Sequence, residues 1–424
     1  MTIASLESLT FGLARLREAA AESGHRLCLL TGDRSVYAYE LDRLGPDDVT
    51  VIDVDTTDVA ACAAALDQLP DLAGLVNSTD TWMMPGATLA ARYGLATLGP
   101  QVAHILRDKA QVRTLLHRAG LSRADARRAE PTGEAVTEAV AAVGYPVIVK
   151  DSAGTSSRSV WLVRDDAERD RAARQVADAT LLGRHLVVEP YFPGPVYSAE
   201  TVSWRGHTRL LGIAVHIHTP EPVRREEAVA FPVALPPAES GRLATWIGEV
   251  LAAVGFTDGV AHTEFAHTPA GPEVVEINGR IAGAVIGEMM CRSLGSNVYS
   301  AVTDTALGRR PRLLDAPLTP DRGFGMTFLH PPAAGRLAGW RGLERLPQFP
   351  GGPEFFPTAQ VGDRIVHLAD QRGCTALVMA EGPTAEIGLY HSLAAAGTVT
   401  HDMRPLDWNL GQEPHDHVRA GSLR

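Results

Sequence analysis

One segment constrains this chain more than any other: AHTEFAHTPAGPEVVEINGR, residues 261–280. TPAGP (268–272) is turn chemistry between two strand-like runs and predicts a β-hairpin. With the turn centred on Ala270, Glu264 and Glu276 lie equidistant from it, opposed across the strands at roughly 5 Å. Two carboxylates so placed repel unless a cation sits between them. Glu276, Asn278 and Arg280 follow at period two and project from one face. Two carboxylates plus an amide oxygen form a hard donor set suited to Mg²⁺. A solvated hairpin face is the plainer reading, but the apolar settings TEF and VVEIN argue against it. A zinc site on His262 and His267 fits less well beside so many oxygen donors.

The basic residues add a second constraint. Lys and Arg total 39, yet Lys109 and Lys150 are the only lysines. A lysine that persists where arginine is otherwise used marks a need for a compact point charge instead of a planar fork. Lys150 ends the β-rich run GYPVIVK and precedes the small-residue loop 151–159, DSAGTSSRS. The N–H groups of such a loop can close over phosphate oxygens. The run HLVVEPYFPGPVYSAE (185–200) carries Glu189 and breaks at Pro190. Proline donates no N–H, so backbone groups near Tyr191 and Phe192 are left either for a flat heterocycle or for an edge-strand turn.

At 424 residues the chain is sized for two to four domains. The first 24 residues read as a helix and not as a signal peptide, and no apolar run reaches the ~18 residues a membrane span needs. The expected location is cytoplasmic. A net charge of −11 disfavours a nucleic-acid partner. The four cysteines form no CxxC pair and read as buried, inert thiols. Apolar runs at 26–31, 49–54 and 74–77 alternate with Ala-rich helical stretches at 59–68 and 86–93, which predicts a small parallel sheet flanked by helices. No GxGxxG follows the first of these strands. Asp80 reads as a helix cap ahead of a ligand contact. Two helical turns and a helix ending at Gly120 come next. The stretch 311–320 reads as a linker, 321–408 mixes strand and helix, and the polar tail from Gly411 is expected to be disordered. His216 and His218 share a face of one strand and read as surface histidines, with contact to substrate, phosphate or amine as the second reading. RREEA (224–228) reads as a solvated loop edge, with folding over the site as the second reading, and Trp340 with residues 362–364 as packing.

In this order, DK–helix, PVIVK–small-residue loop, VVEPYFPGPVYSAE and TEF…VVEINGR, the chain resembles the ATP-grasp superfamily over about residues 100–310. The resemblance implies an α/β (α+β) chain built on the ATP-grasp fold. Its core would occupy 99–318, with a small lobe at 99–188 and a large lobe at 189–318. A Rossmann-like domain at 1–98 would precede it, and an α+β domain at 319–410 and a tail at 411–424 would follow. It further implies that Lys109 and Lys150 hold the ATP α/β-phosphates and that Ser156 and Ser157 lie in the covering loop. Glu189 and the backbone near Phe192 would read adenine. Glu264, Glu276 and Asn278 would bind Mg²⁺, with Mn²⁺ as an alternative, and Arg280 would steady a carboxylate and its acyl phosphate. The acidic ribose residue of many relatives is replaced by Pro195–Val196, which leaves Glu200 for that role. Residues 328–347 together with VGDRIVHLADQRGCTALVMAEGPTAEI resemble the C-terminal domain of L-amino-acid ligases. The small residues after Arg280, Gly283 among them, suit a roomy acyl pocket or helix packing equally. The implied activity is ATP-dependent joining of a small carboxylate to an amine through an acyl phosphate, without nucleic-acid or membrane partners, in a chain that forms a homodimer. A carboxylase, a thiol ligase and a non-catalytic nucleotide sensor are the alternatives.

Overall fold

The computed structural model describes residues 1–155, 158–220 and 225–406. Ser156, Ser157, Arg224 and the tail from Gly411 lie outside the described residues.

The chain opens on a strand, Thr2–Leu6, and not on the expected helix. TIASL is buried along its whole length. It lies inside a four-stranded parallel sheet, between Arg26–Thr31 and Leu72–Val76, with Val49–Asp53 at the edge. The helix occupies only Leu13–Glu22. The alanine-rich second half of this segment dominates its pattern, while five buried residues are too few to display alternation. Helices Val59–Leu66 and Met83–Arg92 fall where the Ala-rich stretches do.

A second unit is an antiparallel sheet ordered Arg127–Ala129, Leu186–Pro190, Val147–Asp151, Val160–Val163. Helices Gly133–Val143 and Asp166–Ala177 cover one face. Val147, Val149, Leu186 and Val188 fill the core beneath them, and each such side chain contributes roughly 1.5–3 kcal/mol by its burial. The side-chain period of two then turns Ile148, Lys150 and Glu189 to the opposite face. Position 188/189 falls inside the strand Leu186–Pro190.

The third unit is an eight-stranded antiparallel sheet. Its order is Gly271–Asn278, Gly259–Thr268, Val196–Trp204, His207–His218, Glu226–Phe231, Gly323–Leu329, Ala376–Gly382, Glu354–Pro357. The last three strands come from beyond position 318. Phe324, Met326, Leu377 and Met379 share one core with Ile3, Leu13, Leu27 and Phe231, so the C-terminal segment continues the large sheet. The stretch 311–320 is not an open linker. Leu313 and Leu314 are buried, and Arg209 Nη1 donates to the carbonyls of Leu313, Leu314 and Ala316 at 2.8, 3.0 and 2.7 Å. Nor is RREEA a loop edge: from Glu226 onward it is strand, with Ala228 and Ala230 buried. All four cysteines are buried and free. Burial pushes the Cys28 and Cys62 thiols up to about 11 and those of Cys291 and Cys374 to about 12, which suits inert packing.

Candidate active site

A cavity of about 260 Å³ lies where the small-lobe sheet faces the hairpin edge of the large sheet. The hairpin closes with a two-residue turn, Pro269–Ala270, between paired Thr268 and Gly271. Its register runs to Phe265 opposite Val274, shifts once, and resumes with Glu264 opposite Glu276 and His262 opposite Asn278. The turn is therefore centred half a residue before Ala270, and a bulge at Val275 restores the pairing of the two carboxylates. Glu264, Glu276 and Asn278 all line the cavity. His262 and His267 are five apart on one strand and so project to opposite faces, which leaves no shared zinc site.

Both lysines reach this hairpin. Lys109 opens the helix Lys109–Arg118, whose N-terminus is capped by Asp108. Its Nζ lies 2.8 Å from Glu276 and donates to the Gly154 carbonyl at 2.7 Å. Lys150 is 2.5 Å from Glu189 and donates to the Val275 carbonyl at 3.2 Å. Burial holds the Lys150 ammonium below its ordinary value despite the Glu189 carboxylate. Burial also works against the charge of Glu189, but Arg113 and Lys150 outweigh it and hold that carboxyl low.

Arg113 was not singled out by the sequence. It is 3% exposed, bridges Glu189 at 3.2 Å and Glu273 at 3.4 Å, and donates to the Val274 carbonyl. The one available signal was its place four residues after Lys109, on the same helix face. Phe192 lines the cavity, with the guanidinium carbons of Arg113 and Arg123 5.1 and 5.3 Å from its ring centroid. Gly194 follows because the backbones touch there: a Cβ would sit 2.3 Å from the His267 carbonyl.

Arg280 points into the cavity and is held by Asp80, at 2.7 Å from Nε and 2.5 Å from Nη2. Asp80 is thus not the expected helix cap. The nearby helix Met83–Arg92 has no side-chain cap, and Asp80 is buried. Burial opposes its charge, but Arg280 and Arg107 keep its carboxyl below the usual range. Gly283, Ala284, Ile286, Phe328 and Gln371 also line the cavity. Ala284 takes a positive φ of 52°, an uncommon conformation for a residue with a Cβ.

His216 is buried, not on the surface, and His218 lines the cavity beside it. His216 Nδ1 bonds Glu226, and its Nε2 lies 2.8 Å from Ser198 Oγ. Ser198 donates to Glu200 at 2.7 Å. His262 lies between Glu200 (2.7 Å) and Glu264 (3.4 Å). Burial disfavours its imidazolium, but these two carboxylates hold it up at about 10. Glu200 is 1% exposed and outside the cavity lining, which corrects its expected reach to a ribose. Its carboxylate is spent on His262 and Ser198. Glu226, in the RREEA segment, and Gln371, whose amide reaches Glu226 from 145 residues away, are cavity residues not expected as site residues from the sequence.

The donor set fits Mg²⁺. Opposed carboxylates and an amide provide hard oxygens, and among the described residues no group of three or more His, Cys, Asp or Glu side chains could hold a metal ion. A cation at Glu264 and Glu276 would therefore take further oxygens from a ligand or water.

Residues 143–288 match the ATP-grasp domain family, and residues 327–404 match the L-amino acid ligase C-terminal domain 2. A protein of Sinorhizobium fredii, y4rH, is 24% identical over 93% of this chain and 80% of its own length. Carnosine synthase 1 of Gallus gallus is 29% identical over 49% of this chain, which spans about a quarter (24%) of that protein. Among solved structures, an L-amino acid ligase from Bacillus licheniformis superimposes with a TM-score of 0.79 at 19% identity, covering 95% of this chain and 98% of the other. An ADP complex of N5-carboxyaminoimidazole ribonucleotide synthetase gives 0.72 at 15% identity, covering 93% and 96%. The chain has the ATP-grasp fold, with an ATP-grasp domain followed by an L-amino acid ligase C-terminal domain.

Proposed function

We propose that this chain, an ATP-grasp ligase forming carbon–nitrogen bonds, uses ATP and Mg²⁺ to join a small carboxylate to an amine, an amino acid or specialised metabolite on at least one side. The observation that carries the reading is the pairing of Glu264 with Glu276 in the cavity that holds Lys109, Lys150 and Arg280. The two matched families support it. In this reading Lys150 and Lys109 face the α/β-phosphates, and Glu189 with the backbone at Tyr191 and Phe192 faces adenine. Glu264, Glu276 and Asn278 would hold Mg²⁺, which when bound offsets charge on the phosphates. Arg280, kept in place by Asp80, orients the substrate carboxylate. A carboxylate oxygen attacks the γ-phosphorus and ADP leaves. The amine nitrogen then attacks the acyl carbon, phosphate leaves, and the nitrogen gives up its proton. Small side chains at Gly283 and Ala284 leave room for the acyl group.

The bounds 1–98, 99–318 and 319–410 would mark stretches of sequence that share one core, and a homodimeric, cytoplasmic state belongs to the same proposal. No helix among the described residues is long and apolar enough to cross a membrane.

The test is phosphate release from ATP and Mg²⁺ across a matrix of amino acids, other carboxylates and amines, with mass spectrometry of each hit. Release that needs two substrates, with a product lighter by one water than their sum, is expected. Glu276→Gln is expected to lower the rate at least a hundredfold. Release that requires bicarbonate, or nucleotide binding without release across the matrix, would overturn the reading.

A further inference from the structure

Along the cavity runs a chain of buried polar groups, of which His216 and His262 also form part of its wall. It crosses four adjacent strands of the large sheet, with Glu226 at one end and Glu264 at the other, both in the cavity. Between them Ser198, Glu200, His216 and His262 are each at most 5% exposed. Carboxylates only accept, so His262, between Glu200 and Glu264, donates from both ring nitrogens. The Ser198 hydroxyl proton goes to Glu200, so His216 Nε2 donates to Ser198 and its Nδ1 donates to Glu226. Every donor is matched and the order of donation is fixed from end to end. A satisfied buried network of this kind orients its terminal groups.

We infer that Ser198, Glu200, His216 and His262 are positioning residues that couple the state of Glu226, beside Gln371 in the cavity wall, to the orientation of Glu264 at the cation site. The inference rests on the reading of Glu264 as a metal ligand. A change at Glu226 alters what His216 can donate, the Ser198 hydroxyl turns, and Glu200 and His262 pass the change to Glu264. Ser198 is the link that can be cut without touching either end.

The experiment is a double-mutant cycle on Mn²⁺ affinity in the presence of ADP, read by electron paramagnetic resonance and calorimetry, with thermal unfolding of each variant. Glu226→Gln removes the charge while keeping the shape. In the otherwise unaltered chain it is expected to weaken Mn²⁺ binding about fivefold, and in the Ser198→Ala background less than about twofold. His216→Asn, which cuts the chain one link earlier, is expected to behave as Ser198→Ala does and keeps the test open if that variant does not fold. An equal effect of Glu226→Gln in both backgrounds would show a purely through-space charge effect and overturn the coupling. So would no effect in the unaltered chain. Absence of Mn²⁺ binding by the unaltered chain would overturn the cation site itself and this inference with it.

Discussion

At the scale of single residues, the buried charges are matched within a shared network, and this makes their removal costly. Arg113 neutralises Glu189 and Glu273 where water does not reach. Arg113→Met keeps much of the volume but leaves Glu273 with Arg123 alone and Glu189 with Lys150 alone. Breaking such an arrangement by removing one partner costs about 3–5 kcal/mol, to be read as a shift in urea midpoint at unchanged slope. His330 gives a pH signature. Burial, with Arg225 nearby, pushes it down from 6.5 to about 3. Its folded pKa is depressed, so the stability from keeping it neutral is present above pH 6.5 and is lost as pH falls toward 3. At pH 4.5, two units below the unfolded value, the loss is up to roughly 3 kcal/mol. His330→Asn should therefore lose that much less than the unaltered chain between pH 7.5 and 4.5 in chemical unfolding. An equal loss in both would show that His330 is not the group responsible. These residues also mark what the sequence could and could not reveal. Lys109, Lys150, Glu264 and Glu276 stand out because scarcity and spacing are local properties. The roles of Asp80 and Arg113 do not, because what defines them is a partner elsewhere in the chain, 200 residues away for Asp80 and Arg280 and 160 for Arg113 and Glu273.

Elements show the same division between local and distant causes. The hairpin was legible from its turn residues, yet the pairing of its carboxylates depends on a bulge at Val275 that no residue type announces. The first strand was missed because its five residues owe their burial to strands on either side. The small-residue loop after Lys150 is a further case. Its described part is held by Asp151, which is 2% exposed and accepts from the backbone N–H groups of Ala153, Leu182 and Gly183 at 3.0, 2.5 and 2.8 Å. Gly183 must lack a side chain, since a Cβ there would lie 2.1 Å from Ser152 Oγ and 2.5 Å from Asp151 Oδ1. Gly183→Ala should therefore displace the loop without removing any group that meets ATP. The expected result is a KM for ATP raised about tenfold with a melting point within a few degrees of the unaltered chain. A KM unchanged within twofold would mean that the loop position does not depend on this contact.

For the whole molecule, the question is whether the C-terminal match is a module or a part of the core. Sequence suggested a unit beginning at 319, since the proline-spaced stretch 311–320 reads as a linker. In space the large sheet runs on, with Gly323–Leu329 paired to Glu226–Phe231 and Ala376–Gly382 paired beyond it. Removing residues after 318 would strip Phe324, Met326, Phe328, Phe356, Leu377 and Met379 from a core shared with the N-terminal sheet. At roughly 1.5–3 kcal/mol for each large apolar side chain, the loss is about 9–18 kcal/mol, as large as the roughly 5–15 kcal/mol by which folded chains are ordinarily stable. It would also remove Gln371 and Phe328 from the cavity wall and expose the edge of Glu226–Phe231, the strand that carries Glu226. The chain cut after 318 is expected to show no cooperative unfolding transition and to bind a hydrophobic dye, while retaining no Mn²⁺ or ADP affinity. Cooperative melting of that fragment with nucleotide affinity intact would show that the shared core is a contact between separable domains, and that the cavity wall at Glu226 stands without Phe328 and Gln371.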